Sequence, residues 1–394
     1  MATAYERELA RLVPEVIAET VRVTEIPAPT SRERRRARYV HSRFEQIGGW
    51  DGLSIDGIGN VVAVRRGQPG KARVLVAAHL DTVFPDAETP VTRSRGRLHG
   101  RGVGDNSAGV AALLGVAQAV QSRAPRGVGD LLLAANVGEE GLGDLRGIRR
   151  IMRDHAGDFD AMIALEAHSL NRVQGGGVGS IRYEVSVRTE GGHSWGAYGR
   201  PNAISLLARA ITALESVAPA VGVAPKATIN AGVIRGGRSV NTIAPDASFE
   251  LDMRSEDPAT LDRLHHDAKR AMRRSLDGAG GGTGGGEVRL KLRRIGLRPA
   301  ARMPQDHPLI GAMLSARRGL GLPRPTLGVG STDANAPMAT GMPATCIGVT
   351  TGGEAHAERE WIRTAPFRRG VPYVGRAIVA AARLPRTAVR QRRV

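Results

Sequence analysis

Two hydrophobic periods alternate along residues 1–178. Short apolar runs are typical of buried strands, and stretches with apolar residues every three or four positions are typical of helices. The pattern predicts strands at 60–64, 73–78, 130–137 and 160–165, and helices at 3–22, 31–47, 106–121 and 145–155. A capping box from Thr30 to Glu33 is predicted to begin the second helix. This alternation indicates an α/β domain with a mainly parallel sheet.

The pattern changes after residue 178. It predicts the order β-α-β-β-α-β, with strands at 180–189, 227–235, 247–255 and 287–295 and helices at 202–218 and 258–276. Such a unit can be inserted into a host domain because its ends lie close together. The α/β alternation returns with a helix at 308–318, a strand at 343–349 and a helix at 369–384. We therefore expect a catalytic domain split into 1–178 and 297–394 around an inserted domain, 179–296, whose glycine-rich stretch 278–286 is a surface loop.

The charge balance of the chain is strongly basic, at +18, which would suit a nucleic acid or an anionic surface. Nearly all of this charge is arginine spread over predicted helix faces, and aromatic residues make up 3% of the chain, which leaves few side chains for stacking on bases. A non-catalytic nucleic-acid-binding protein is therefore a remote alternative, and no nucleic-acid or membrane partner is expected. The N-terminus lacks the apolar core of a signal peptide, so the prediction is a soluble cytoplasmic protein.

Acids and imidazoles follow the ends of several predicted strands. His79 and Asp81 lie two positions apart, so strand alternation points both the same way, and one can bind a metal while the other orients it. Asp105 precedes an apolar helix, and Glu139, Glu140 and Glu166 follow apolar strands. Taken singly, each has an ordinary explanation as a turn, a helix N-cap or a solvated strand end.

Taken together, the same residues suit a hydrolytic metal centre. Two divalent cations would balance the three carboxylates of Asp105, Glu140 and Glu166 plus one hydroxide. Adjacent side chains diverge, so Glu139 and Glu140 are expected to divide the tasks of general base and ligand.

These motifs resemble the dinuclear zinc peptidase family that includes aminoacylase, acetylornithine deacetylase, succinyl-diaminopimelate desuccinylase, carboxypeptidase G and the bacterial tripeptidases. The resemblance covers about 15–384 and implies two divalent ions, with zinc expected first and cobalt or manganese as alternatives. It implies that Asp81 orients a ligand, that Glu139 is the general acid and base, and that Asp105 bridges both ions. The implied metal ligands are His79, Asp105, Glu140, Glu166 and His356.

The inserted domain resembles the lid and dimerisation domain of that family. The resemblance implies that His193 polarises the scissile carbonyl, in many members across a dimer, and that Asn241 and Arg254 hold a substrate carboxylate. One departure is Asn106, since many members carry a lysine shortly after the bridging aspartate. The segments 166–169 and 331–333 lean towards the tripeptidase-like branch.

The sequence therefore predicts metal-dependent hydrolysis of an amide or peptide bond in a small peptide that carries a free carboxylate. The enzyme is expected to form a homodimer through the inserted domain. An N-acyl-amino-acid deacylase or a carbamoylase, acting on an acylated amino acid with the same metals, is the alternative within enzymes.

Overall fold

The computed structural model describes residues 2–85, 88, 90–278 and 286–390. The chain divides into two compact units: a first unit of Met1–Gly177 and Arg302–Val394, and an inserted unit of Val178–Ala301. The sequence placed these boundaries one residue later and five residues earlier, respectively. Most of the predicted glycine loop, 279–285, lies outside the described residues.

The described part of the chain contains strands and helices that we number in chain order. The strands are β1 (Gly52–Ile55), β2 (Val61–Arg65), β3 (Val74–His79), β4 (Thr92–Ser94), β5 (Arg97–His99), β6 (Leu131–Asn136), β7 (Ala161–Leu165), β8 (Arg172–Gly177), β9 (Gly179–Arg188), β10 (Gly192–His193), β11 (Ala227–Gly236), β12 (Thr242–Ile243), β13 (Asp246–Ser255), β14 (Arg289–Arg298), β15 (Ala301–Arg302), β16 (Thr326–Gly330), β17 (Ala344–Ile347), β18 (Gly352–Gly353) and β19 (Trp361–Arg363). The helices are α1 (Ala4–Arg11), α2 (Val13–Thr24), α3 (Arg34–Ile47), α4 (Ala108–Ser122), α5 (Arg146–Asp154), α6 (Ala203–Ala213), α7 (Pro258–Arg274), α8 (Pro308–Ala316), α9 (Asn335–Ala339), α10 (Phe367–Arg383) and α11 (Arg386–Val389).

A nine-stranded sheet forms the centre of the first unit, in the order β1-β2-β6-β3-β7-β17-β8-β15, with β16 paired to β8. Its middle strands β6, β3, β7 and β17 are parallel. Every residue of β3, β6 and β7 is buried, as expected for strands covered on both faces by helices. The carboxyl ends of β6, β3 and β7 therefore lie side by side at one edge of the sheet. The predicted α/β class with a mainly parallel sheet is confirmed.

The inserted unit contains an antiparallel sheet in the order β11-β13-β9-β14. Side chains at alternate positions of β9 and β13 pack against α6 and α7, because successive side chains of a strand point to opposite faces. With its two helices the unit has the predicted β-α-β-β-α-β order, and the short pair β10–β12 is an addition that the sequence pattern did not indicate.

Two predictions about the N-terminal helices are wrong. The predicted helix 3–22 is two helices that meet at Leu12, because Pro14 has no amide hydrogen to donate to the preceding turn. The capping box at Thr30 does not form, and α3 begins at Arg34 without a side-chain cap. Thr30 donates its hydroxyl to Asp81 instead, at 2.9 Å. The partner of the Thr30 hydroxyl is a buried carboxylate, and a hydrogen bond to an ionised group is stronger than one between neutral groups.

None of the described helices combines the length and apolarity required to cross a bilayer.

Candidate metal centre

The candidate ligands of the first unit converge at the carboxyl ends of the parallel strands. His79 is the last residue of β3, Glu139 and Glu140 follow β6, and Glu166 follows β7. Gly138 makes the turn after β6 at a φ of 66°, and a Cβ there would lie 2.2 Å from the Arg146 side chain. Glycine is therefore required for the chain to turn and present the two glutamates.

One group of ligand atoms surrounds the first oxygen of Asp105. The His79 Nε2 atom lies 3.1 Å from Asp105 Oδ1 and 3.7 Å from Glu166 Oε2. His79, Asp105 and Glu166 each offer a donor atom within 4.8 Å of the others. His79 is buried, and Asp105 and Glu166 are largely so.

A second group surrounds the other oxygen of Asp105. The His356 Nε2 atom lies 3.1 Å from Asp105 Oδ2 and 3.2 Å from Glu140 Oε1. His356 lies in the loop between β18 and β19, at a φ of 66°, and its side chain is half exposed. The two oxygens of one carboxylate thus face two different imidazoles, each accompanied by one further carboxylate.

The donor atoms fit divalent metal ions. Two nitrogen or oxygen donors bound at about 2.1 Å to one tetrahedral ion lie roughly 3.4 Å apart. The distances from the two imidazoles to their carboxylate neighbours, 3.1 to 3.7 Å, bracket that value. Imidazole and carboxylate together suit zinc and other borderline transition ions.

Asp81 holds the site together through the main chain. Its Oδ1 and Oδ2 accept the amide hydrogens of Glu139 and Glu140, both at 2.9 Å, in addition to the Thr30 hydroxyl on Oδ2. The Nδ1 atom of His79 lies 3.0 Å from the main-chain oxygen of Asp81 and 3.6 Å from Oδ1. From the sequence, the Asp81 carboxylate was expected to orient His79. The main-chain oxygen of Asp81 makes the closer contact with His79 instead, because the carboxylate already accepts the two glutamate amides.

Two residues that the sequence argument did not place in the site fix the corner at Asp105. The Glu360 carboxylate accepts the main-chain amides of Gly102, Gly104 and Asp105, at 2.7 to 2.9 Å. Asn106 donates its amide to Leu165 O at 2.6 Å and accepts from the Ala167 amide at 3.2 Å, so it binds the main chain on both sides of Glu166. Asn106 follows a glycine-rich turn and Glu360 precedes the short strand β19, which are weak signals without the fold.

Protons on the two imidazoles balance part of the negative charge of the site. Hydrogen bonds to Asp105 and Glu140 raise the pKa of His356 to about 10. Burial disfavours the charged form of His79, yet Glu166, Asp105 and Asp81 outweigh burial and raise its pKa well above the usual value. Burial raises the pKa of Glu360 to about 7, an effect that the nearby Asp105 reinforces. A divalent cation would compete with these protons for the same donors.

The three remaining site residues lie in the inserted unit. His193 and Asn241 lie next to each other, because β10 pairs with β12 and Ser194 donates its amide to Asn241 O at 2.9 Å. Arg254 is near the end of β13 and donates its Nε to Asp252 Oδ2 at 2.6 Å, and Asp252 also accepts from Arg182. The inserted unit thus brings two of the three predicted residues together and places the third on another strand.

An α/β fold with imidazoles and carboxylates gathered at the carboxyl edge of a parallel sheet defines a metal-binding hydrolase. Comparison with known proteins gives the family. Residues 75–380 match the model of peptidase family M20/M25/M40, and the chain belongs to this family of enzymes that hydrolyse peptide and amide bonds.

Relatives of known sequence match part of the chain. A peptidase M20 domain-containing protein of Schizosaccharomyces pombe is 29% identical over 203 residues, 51% of this chain and 50% of that protein. A putative succinyl-diaminopimelate desuccinylase of Mycobacterium tuberculosis is 28% identical over 253 residues, 63% of this chain and 70% of that protein. The match thus spans half the length of the first relative.

Solved structures share the fold along most of the chain. A tripeptidase of Staphylococcus aureus superimposes with a TM-score of 0.78 at 19% identity, over 94% of this chain and 99% of that chain.

Proposed function

We propose that the chain hydrolyses an amide bond in a small peptide with a free carboxylate. Two divalent ions would be held by the ligand set His79, Asp105, Glu140, Glu166 and His356. The observation that carries this proposal is the division of Asp105, whose Oδ1 faces His79 and whose Oδ2 faces His356. A single structural ion pair would require one histidine, whereas Asp105 has a histidine at each of its two carboxylate oxygens.

Zinc is the proposed ion, with cobalt or manganese as alternatives, because the donors are nitrogen and oxygen. When bound, such ions polarise the scissile carbonyl and lower the pKa of the attacking water. The protein groups would supply the proton transfers and the substrate contacts.

Glu139 is the proposed general base. Its side chain is buried, and its main-chain amide is fixed by Asp81 at 2.9 Å. The carboxylate would take a proton from the attacking water and return it to the amine that leaves.

His193 is the proposed donor to the carbonyl oxygen as negative charge develops on it. Its Nδ1 lies 3.2 and 3.4 Å from the main-chain amides of Trp195 and Gly196, which donate to it. An acceptor role at Nδ1 leaves the proton of the neutral ring on Nε2, so Nε2 can donate. Asn241 and Arg254 are proposed to bind the substrate carboxylate, a task for which the planar guanidinium is well shaped.

The test replaces the base while keeping its shape. The Glu139→Gln enzyme should bind as much metal as wild type, measured by elemental analysis, and lose its turnover of tripeptides by a factor of about 10²–10⁴. The matched control is Glu358→Gln, an exposed carboxylate near His356, which should leave turnover unchanged. Near-normal hydrolysis by the Glu139 variant would overturn the assignment of the base.

A deacylase or a carbamoylase is the second candidate. The specific observation in favour of a deacylase is that relatives carry desuccinylase or deacetylase names, among them a Myxococcus xanthus acetylornithine deacetylase that is 31% identical over 209 residues. A panel of dipeptides, tripeptides and N-acetyl, N-succinyl and N-carbamoyl amino acids, compared by kcat/KM, separates the two. Peptides whose carboxylate is amidated should be poor substrates in either case, and they should lose no further activity in Arg254→Ala.

The inserted unit is also proposed to form a homodimer. Its edge strand β11 is largely exposed over ten residues, and the exposed side chains include Val233 and Ile234. An exposed edge of this length is a template for pairing with a second copy. Light scattering should give a dimer for wild type and a monomer for Ile234→Asp. A monomeric wild-type enzyme would contradict this part of the proposal.

The cytoplasmic location stays a prediction.

A further inference from the structure

The inserted unit carries a second group of potential metal ligands, on α7. Asp262, His265 and His266 are spaced i, i+3 and i+4, and residues with this spacing share one face of a helix. Each offers one donor atom, and the three atoms lie within 4.8 Å of one another. None of the three belongs to the candidate metal centre, whose ligands all lie in the first unit.

The spacing between the side chains is already close to that of a coordination site. His266 Nδ1 donates to the main-chain oxygen of Asp262 at 2.9 Å and lies 3.4 Å from Asp262 Oδ1, which leaves the Nε2 lone pair to bind an ion. The centroids of the two imidazole rings are 5.0 Å apart. Asp262 and His266 are exposed and His265 is partly buried, so an ion could reach them from solvent and keep water on its remaining positions.

Tyr183 of β9 holds His265 in place. Its hydroxyl lies 2.9 Å from His265 Nε2, and its ring stacks on the imidazole at a centroid distance of 5.5 Å and an interplanar angle of 17°. Histidines that bind metals are commonly oriented by a hydrogen bond to the other ring nitrogen. A buried tyrosine therefore gives this surface group a fixed member, which a chance pair of exposed histidines lacks.

We propose that Asp262, His265 and His266 form an additional site for a borderline divalent transition ion such as Zn²⁺, Ni²⁺ or Cu²⁺. Two imidazoles and one carboxylate match the preferences of these ions and not those of Ca²⁺ or Mg²⁺, which require oxygen ligands. The positive charges of Lys269 and Arg294 act on His265 and oppose a cation, so this site binds less tightly than a centre with three carboxylates.

The experiment counts zinc at buffered free concentrations on the full chain. Wild type should bind one more equivalent at saturation than the variant His265→Ala/His266→Ala, and this last equivalent should bind the most weakly. Zinc at that concentration should slow the amide hydrogen exchange of residues 258–274 in wild type but not in the variant.

Two further variants separate the site from non-specific binding. His155→Ala removes a histidine that pairs with Asp158 at the same i, i+3 spacing but has no third donor among the described residues, and it should leave the zinc count unchanged. Tyr183→Phe keeps the ring and removes the hydroxyl, so the last equivalent should bind about tenfold more weakly. Equal zinc counts for wild type and the double variant would overturn the proposal, as would protection of 258–274 that persists in the variant. Hydrolysis plays no part in either measurement.

Discussion

Replacing Asp81 by asparagine tests whether the main chain around the two glutamates depends on one buried carboxylate. Asp81 is fully buried and accepts three hydrogen bonds, from the amides of Glu139 and Glu140 and from the Thr30 hydroxyl. Asparagine has nearly the same shape but only one acceptor oxygen. At least one of the buried donors must therefore lose its partner in Asp81→Asn.

The cost follows from the arrangement of the three bonds. The least disruptive orientation places the new amide nitrogen at the Oδ1 position, which accepts one hydrogen bond, from the Glu139 amide, and lies 3.6 Å from His79 Nδ1. An unpaired buried amide costs about 1–3 kcal/mol, and the two remaining bonds lose about 1 kcal/mol each when the acceptor loses its charge. Burying the neutral asparagine side chain costs less free energy than burying a carboxylate, and this difference offsets part of the loss. We expect a net local destabilisation of about 3 kcal/mol.

Hydrogen exchange followed by mass spectrometry provides a local assay, which avoids treating a chain of two units as a two-state system. Peptides containing Glu139 and Glu140 should exchange faster in Asp81→Asn, and turnover should fall because the base is no longer held in position. Thr30→Val removes one of the three bonds and should give a smaller effect in the same peptides. Unchanged exchange and unchanged turnover in Asp81→Asn would refute the reasoning.

Two further predictions concern the metal ligands. Since hydrogen bonds to Asp105 and Glu140 raise the pKa of His356 to about 10, metal binding at neutral pH should release protons and weaken as the pH falls, which calorimetry in buffers of different ionisation enthalpy measures. In chelator-treated protein, protonated His356 stabilises the folded state, because its pKa there is higher than the ordinary value of 6.5. This contribution to the free energy of unfolding is complete below pH 6.5 and should disappear as the pH rises towards 10. Glu360→Gln should weaken metal binding by about 10–100-fold in a chelator competition, because one of the three amides that hold the Asp105 turn loses its acceptor.

The sequence was sufficient to predict the elements that carry the site. Strands β3 and β6 are apolar up to a polar last residue and β7 is apolar throughout, and acidic or imidazole side chains that the apolar pattern does not explain end or follow them. Since the carboxyl ends of neighbouring parallel strands meet at one edge, the order of these side chains along the chain was enough to predict that they converge. His356 was predicted through the family resemblance, because its loop has no such pattern.

The contacts that position the ligands could not be predicted in the same way. Thr30 and Glu33 fit the capping-box pattern, yet the hydroxyl of Thr30 binds Asp81, and Glu33 accepts the amide of Gly138 at 3.1 Å. Both partners are more than 50 residues away in sequence. A capping-box pattern describes hydrogen bonds between residues that are close in the chain. The bonds of Thr30 and Glu33 depend instead on which buried polar groups still lack a partner after the sheet has formed.

The local charge of the site is opposite to the charge of the chain. The sequence carries a formal charge of +18, while the centre and its immediate surroundings gather seven largely buried acids, three of which are proposed ligands: Asp81, Asp105, Glu139, Glu140, Glu166, Asp333 and Glu360. Burial raises the pKa of Asp333 to about 7, as it does for Glu360. These raised pKa values indicate that further ionised carboxylates in this buried region would require bound cations. The net charge of the chain therefore does not indicate the charge of the site. The arginines lie mainly at the surface, and the function follows from acids in a region where divalent ions are the natural counter-charge.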